Sequence, residues 1–103
     1  MSEYFVKANK RLRELLKKHG VKLDEREYLN LLLWFVGYGD DDRNNNDERD
    51  ELINEALMAA AEQTTDLSRD EIMKRARQAL RDADGFKPAA LDALMRDMPR
   101  KPR

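Results

Sequence analysis

The sequence predicts an all-α protein, a compact bundle of about five short helices with helix 2 (about Asp24–Val36) central. Three observations support this. Leu and Ala dominate the apolar residues and β-branched residues are few, which favours helix over strand. Apolar residues recur at intervals of three and four along most of the chain. Capping patterns at Asp24 and Ser68 mark two helix starts.

Composition limits the possible functions. The 103 residues suggest a single helical domain over residues 1–98, followed by a basic flexible tail, 99–103. Charged residues make up 40% of the chain, against about 25% in a typical domain, yet the net charge is only −1. The charges form a basic, then acidic, then basic pattern along the chain, which favours self-association or recognition of a charged partner. The absence of cysteine excludes disulfides and thiolate metal sites.

The sequence also predicts a cytoplasmic protein with no membrane segment. The N-terminus lacks the apolar core of a secretory signal. The longest unbroken apolar run, Leu31 to Val36, is far shorter than the ~18 residues that span a bilayer.

Helix 1 is predicted from about Glu3 to His19, where Gly20 is suited to end it. Its apolar stripe includes Ala8 and Leu12. The other face is basic, which indicates either simple solvation or contact with phosphates or an acidic protein. That basic face consists of Lys7, Lys10, Arg11, Arg13, Lys17 and Lys18.

Helix 2 has the densest apolar segment in the chain. Asp24 and Glu27 predict a capping box, and Leu23 and Tyr28 a hydrophobic staple across it. On a helical wheel its apolar residues fill an arc of roughly 200°, about twice the usual stripe. Such an arc needs several covering neighbours, or else a second copy or a partner. Trp34 shares its side of the wheel with polar residues, so it is either covered by a flanking element or available to anchor a partner.

The other three helices follow from similar signals. Helix 3 is predicted from near Asp47 to about Gln63, with Leu52/Ile53, Ala56/Leu57 and Ala60/Ala61 inward. Helix 4 begins after the Ser68–Glu71 capping box and ends at Gly85. Helix 5 opens at Pro88, with a possible staple from Phe86 to Leu91. Its inner stripe is Leu91, Leu94/Met95 and Met98.

The acidic segment between helices 2 and 3 has the spacing of a calcium-binding loop. Its candidate ligands are Asp40, Asp42, Asn44, Asn46 and Glu51. Two departures weigh against tight calcium binding. Asn45 occupies the position that normally needs Gly, and Asp47 occupies a position that is usually apolar. The chain also has no second loop with which this one could pair.

The chain has few residues suited to catalysis, so the sequence predicts that it is not an enzyme. Ser68 is explained as a helix cap and Ser2 is the only other serine. The single histidine, His19, lies at the end of helix 1, where it suits the helix dipole or the core edge better than the role of a base. No phosphate-binding loop is present, and we expect no cofactor.

A nucleic-acid interface is an alternative. The short link between helices 3 and 4 is compatible with a helix-turn-helix. The second of these helices carries a basic series, Lys74, Arg75, Arg77 and Arg81. Asp70 and Glu71 in its first turn would repel phosphate, and the net charge is not basic, so any such binding should be weak.

The function predicted is therefore non-catalytic binding of another macromolecule by a small helical adaptor or inhibitor. By analogy, such a chain resembles in charge density the small accessory proteins of phages and mobile elements that block nucleic-acid enzymes. A homodimer is also compatible with the wide apolar arc of helix 2. The predicted partner-binding residues are Asn30, Trp34, Tyr38, Asp40, Asp41, Asp42, Asp47, Glu48, Asp50 and Glu51.

Overall fold

The computed structural model of the chain describes residues 3–36 and 47–101, with side chains from residue 51 onward in the second range. Five α-helices and no strand lie in these two ranges, which confirms the predicted all-α bundle. The helices are α1 (Glu3–Lys18), α2 (Glu25–Phe35), α3 (Asp47–Ala61), α4 (Arg69–Asp82) and α5 (Lys87–Asp97).

The start of α2 is fixed by the predicted capping box. The Asp24 carboxylate accepts the Glu27 backbone N–H at 2.8 Å, and the Glu27 carboxylate accepts the Asp24 N–H at 3.1 Å. The start of α4 has half of this arrangement, because the Ser68 hydroxyl accepts the Glu71 N–H at 3.2 Å. The Glu71 carboxylate instead accepts a hydrogen bond from Arg75 at 3.1 Å, one turn along the same helix.

Replacing the cap residue Asp24 with Ala should lower the free energy of unfolding by about 1 kcal/mol, because backbone N–H groups of the first turn lose their acceptor. Urea denaturation followed by circular dichroism measures the change. Asp66→Ala is the matched control, since Asp66 is exposed and Ser68, not Asp66, caps α4. This control should change stability by less than about 0.5 kcal/mol. Equal losses in the two variants would contradict the role of the cap.

The helix ends also follow local chemistry. Gly20 has φ 71°, a left-handed conformation that Gly adopts without steric cost, and ends α1 as predicted. The Val21 N–H then bonds to the Leu16 carbonyl at 2.9 Å, which completes a Schellman motif. At the end of α4 two successive residues are left-handed, Asp84 with φ 53° and Gly85 with φ 79°. The Gly85 N–H bonds back to the Leu80 carbonyl at 2.8 Å, so Gly85 closes the helix end as predicted.

The core lies between two helix pairs. α2 packs most extensively against α3, and α4 against α5, while α1 contacts both α2 and α5. The largest fully buried side chains come from four different helices: Leu12, Leu31, Ile72 and Leu91. The α3 contribution includes several small side chains, among them Ala56 and Ala60. The predicted inner stripe of α5, from Leu91 to Met98, is buried throughout and is confirmed.

Some predicted details are wrong. Leu52 was assigned to the buried stripe of α3 but is exposed, whereas Met58, which was not assigned, is buried. Helix α5 begins at Lys87 and not at Pro88. Phe86 is the N-cap residue and more than half exposed, so it does not occupy the preceding position that a hydrophobic staple requires.

The end of the chain contacts the connection between α3 and α4. The Lys101 N–H donates to the Thr64 carbonyl at 2.9 Å, so a residue of the proposed tail contacts the α3–α4 connection. The division of the chain after residue 98 stays a prediction.

In the part of the chain that the structure describes, no helix has the length and apolar character needed to cross a bilayer.

Candidate binding surfaces

Two leucines of adjacent helices are exposed on the α2–α3 face, which we define as Arg26, Leu29, Asn30, Leu52 and Glu55. Leu29 is 49% exposed and Leu52 is 40% exposed. A groove of about 510 Å³ runs beside Leu29, and another of about 320 Å³ runs beside Leu52. Arg26 and Asn30 line both grooves, so the two leucines flank one continuous surface.

An ion-pair cluster borders the α2–α3 face. The Arg69 guanidinium donates two hydrogen bonds to the Glu55 carboxylate, at 3.1 and 2.8 Å, and one to Glu62 at 3.0 Å. The hydrogen bonds from Arg69, followed by its charge, lower the pKa of Glu55 below its ordinary value. All three side chains are exposed, so the pairs add little stability. They do hold the start of α4 against α3 and give the face a polar rim.

Apart from Trp34, the predicted partner-binding residues fall in three groups. Asn30 lies on the α2–α3 face, and the exposed Glu51 precedes Leu52 on α3. Asp47, Glu48 and Asp50 belong to the start of α3, but their side chains lie outside the described residues. The remaining residues of the polar segment, Tyr38, Asp40, Asp41 and Asp42, also lie outside the described residues.

Trp34 is the remaining predicted residue, and its surroundings favour the first of its two interpretations. Its side chain is partly buried and packs against the core. The Lys87 ammonium, at the start of α5, lies 5.6 Å from the centroid of the Trp34 ring. A flanking element therefore covers Trp34, and this contact joins α2 to α5. Its role as a partner anchor stays a prediction.

The calcium hypothesis falls mostly on residues that the structure does not describe. Asp40, Asp42, Asn44 and Asn46 lie outside the described residues, and Glu51 is exposed on the first half of α3. Among the side chains that the structure describes, in residues 3–36 and 51–101, no three His, Asp or Glu groups lie closely enough together to hold a metal ion.

The basic series on α4 is partly exposed to solvent and so partly available to bind nucleic acid. Lys74, Arg77 and Arg81 are exposed and lie on one side of the helix, since they are three and four residues apart. Arg75 is half-buried and donates to Glu71. α4 packs chiefly against α5, and α3 chiefly against α2. The α3 and α4 helices also contact each other, and the helix-turn-helix alternative stays a prediction.

His19 is buried, and it is bonded to a residue that the sequence did not connect with it. Its side chain is 5% exposed, and Nε2 lies 2.9 Å from an Asp92 carboxylate oxygen of α5. Because an ionised carboxylate only accepts hydrogen bonds, Nε2 carries the hydrogen. The hydrogen bond from His19, aided by Lys18 at 3.1 Å, lowers the pKa of Asp92. The pair joins the end of α1 to α5.

The serine and threonine hydroxyls in the described residues bond to backbone groups. Thr64 donates to the Ala61 carbonyl at 3.1 Å, and the Thr65 hydroxyl accepts the Leu67 N–H at 3.3 Å. Ser68 caps α4. Each of these three hydroxyls thus bonds within a local turn or cap, and these bonds do not involve His19 or Asp92.

Comparisons of this chain with protein-family models, with curated proteins and with solved structures find no match. What the chain does is therefore inferred from the geometry of its own surfaces.

Proposed function

We propose that this protein is a non-catalytic, cytoplasmic adaptor or inhibitor that binds another protein through the α2–α3 face. The observation that carries the proposal is the exposure of Leu29 and Leu52 on two adjacent helices, beside grooves that share Arg26 and Asn30. Burying a leucine side chain fully is worth about 1.5–3 kcal/mol. A partner that covers both leucines therefore gains more there than at the charged surface around them.

The surroundings of the two leucines suit a protein partner. Binding surfaces combine apolar side chains at the centre with a polar rim. Here Arg26 and Asn30 lie between the leucines, and the Glu55–Arg69–Glu62 cluster lies at the border. The exposed Glu51, next to Leu52 in the sequence of α3, adds a negative charge, so the partner surface that we propose is apolar at its centre and basic at its side.

The absence of catalysis is supported by how the reactive groups are used. The single imidazole is buried and bonded to Asp92. The described serine and threonine hydroxyls bond to nearby backbone groups. By analogy with phage and mobile-element accessory proteins of similar charge density, we propose inhibition of a nucleic-acid enzyme as the biological setting.

An affinity pull-down from the native host, analysed by mass spectrometry, tests the proposal. The bait is the full chain and the test variant is Leu29→Asp with Leu52→Asp, which keeps the core leucines intact. We expect the captured partner to be lost from this variant, because two charged groups would have to be buried at the interface. Circular dichroism should show unchanged helicity, since both side chains are exposed.

The matched control replaces two exposed apolar side chains of α1, as Tyr4→Asp with Val6→Asp. It should keep the partner. A partner that both variants lose, or that both keep, would refute the role of the α2–α3 face. A partner lost after nuclease treatment, and from Arg77→Ala with Arg81→Ala, would favour the nucleic-acid alternative. If the protein captures only its own chain, and light scattering gives a dimer mass, the face belongs to the homodimer alternative.

A further inference from the structure

A second surface lies where the chain passes from α1 to α2. We call it the α1–α2 groove, a cleft of about 740 Å³ open to solvent. One part of its wall is apolar and includes Leu16, Val21 and Leu23. Tyr28 adds an aromatic ring to the same wall. None of these residues belongs to the α2–α3 face.

The groove is preformed by hydrogen bonds. The Schellman motif at Gly20 places Val21 beside Leu16. The next residue, Lys22, is fixed by Gln63 at the end of α3. The Gln63 amide oxygen accepts the Lys22 N–H at 2.9 Å, and the amide nitrogen donates to the Lys22 carbonyl at 2.6 Å. A partner would therefore not have to order this connection on binding, which lowers the entropic cost of association.

The rim of the groove is basic. Arg13, Lys17 and Lys22 are exposed, and the only acidic residue among the described residues that line the groove is Glu25. The Arg13 guanidinium lies 5.4 Å from the centroid of the Tyr28 ring, which holds its charge at the edge of the apolar wall. The Tyr28 hydroxyl bonds in turn to the Asn9 backbone carbonyl at 3.1 Å, so the ring is itself fixed.

We propose that the α1–α2 groove binds a short acidic segment of a partner protein, with apolar side chains against its wall and carboxylates against its rim. The positive rim supplies the charge complementarity, and the preformed apolar wall supplies the buried contact. Nucleic acid fits less well, because phosphates would use the cations but leave the Leu16–Val21 wall without a counterpart. The proposal is independent of the α2–α3 face and gives the chain a second binding site.

Fluorescence anisotropy with a labelled peptide that alternates glutamate with leucine tests this site in the full chain. We expect saturable binding at 0.15 M salt, roughly the physiological value. The variant Lys17→Glu with Lys22→Glu should weaken it by about tenfold or more, because two attractive pairs become repulsive. The fold should persist, since both side chains are exposed and Lys22 bonds to Gln63 through its backbone.

The matched control is Lys10→Glu with Lys74→Glu, which changes the net charge equally at exposed positions outside the groove. It should bind the peptide within about twofold of the original chain, since distant exposed charges are screened. Equal weakening in both variants would overturn the proposal in favour of unspecific charge attraction. Equal binding of a glutamate–serine peptide would also overturn it, because the apolar wall would then have no role.

Two more outcomes assign the groove to another occupant and so overturn the proposal. One is displacement of the peptide by a single-stranded oligonucleotide at equal concentration. The other is a dimer of the chain that dissociates in Lys17→Glu with Lys22→Glu. Failure of the α2–α3 pull-down, by contrast, leaves this result unaffected, because the two sets of variants share no residue.

Discussion

Replacing Leu31 with Ala should lower the free energy of unfolding by about 2–5 kcal/mol, the range for a large buried side chain that leaves a cavity. Leu31 has no exposed surface and lies in the middle of α2, which contacts both α1 and α3. Since small domains have only about 5–15 kcal/mol of net stability, this one change should remove a large part of it. Chemical denaturation followed by circular dichroism measures the loss.

Leu29→Ala is the matched control, because it makes the same change two residues away on the same helix. Its side chain is half exposed, so we expect a loss below about 1 kcal/mol. The difference between the two variants separates the buried from the exposed side of α2. Similar losses would mean that Leu29 is covered in solution, by a second copy or by another part of the chain, and would contradict the free α2–α3 face.

The features that the sequence predicted well are those fixed by neighbours along the chain. The capping box at Asp24 uses residues three apart, and the end of α1 depends on the left-handed conformation that Gly20 adopts. The α5 stripe repeats with helical spacing, so its buried side could be read from the period alone. These local preferences agree with the global fold, which is why they were sufficient.

The features that the sequence did not predict depend on packing between distant segments. Helical periodicity locates the buried side of a helix only to within about 100°, which is the rotation between successive residues. It therefore could not decide whether Leu52 or Ile53 is the buried residue of α3. Similarly, the wide apolar arc of α2 did not indicate that Leu29 would be left uncovered. The Gln63–Lys22 hydrogen bonds, which shape the α1–α2 groove, join residues 41 apart in sequence. No local pattern marks such a pair.

The His19–Asp92 pair is a long-range polar contact that sequence reasoning missed, and it contributes to the docking of α1 on α5. The two residues are 73 apart in sequence. Hydrogen bonds to charged groups contribute about 1.5–3 kcal/mol, and a buried partner left without its acceptor costs a similar amount. We therefore expect Asp92→Ala to lower the free energy of unfolding by about 2–3 kcal/mol at neutral pH.

The stability that Asp92 contributes should depend on pH in a defined direction. The pKa of Asp92 is lowered in the folded protein, first by the hydrogen bond from His19. In the unfolded chain it should return to about 3.9. A depressed folded-state pKa stabilises the protein fully above the unfolded value, and this contribution is lost as the pH falls through the folded value. The advantage of the original chain over Asp92→Asn that comes from the ionised carboxylate should therefore be fully present above about pH 4 and shrink below it.

A double-mutant cycle at neutral pH separates this pair from its surroundings. The cycle consists of His19→Ala, Asp92→Ala and the combined variant, each measured by urea denaturation. We expect a coupling energy above about 1 kcal/mol, because Asp92→Ala leaves the buried His19 without its acceptor and His19→Ala leaves Asp92 with only the exposed Lys18. Asp66→Asn, which neutralises an exposed aspartate in the α3–α4 connection, is the control and should change stability by less than about 0.5 kcal/mol. Additive effects of His19→Ala and Asp92→Ala would show that the two residues stabilise α1 and α5 separately, and would contradict the pairing.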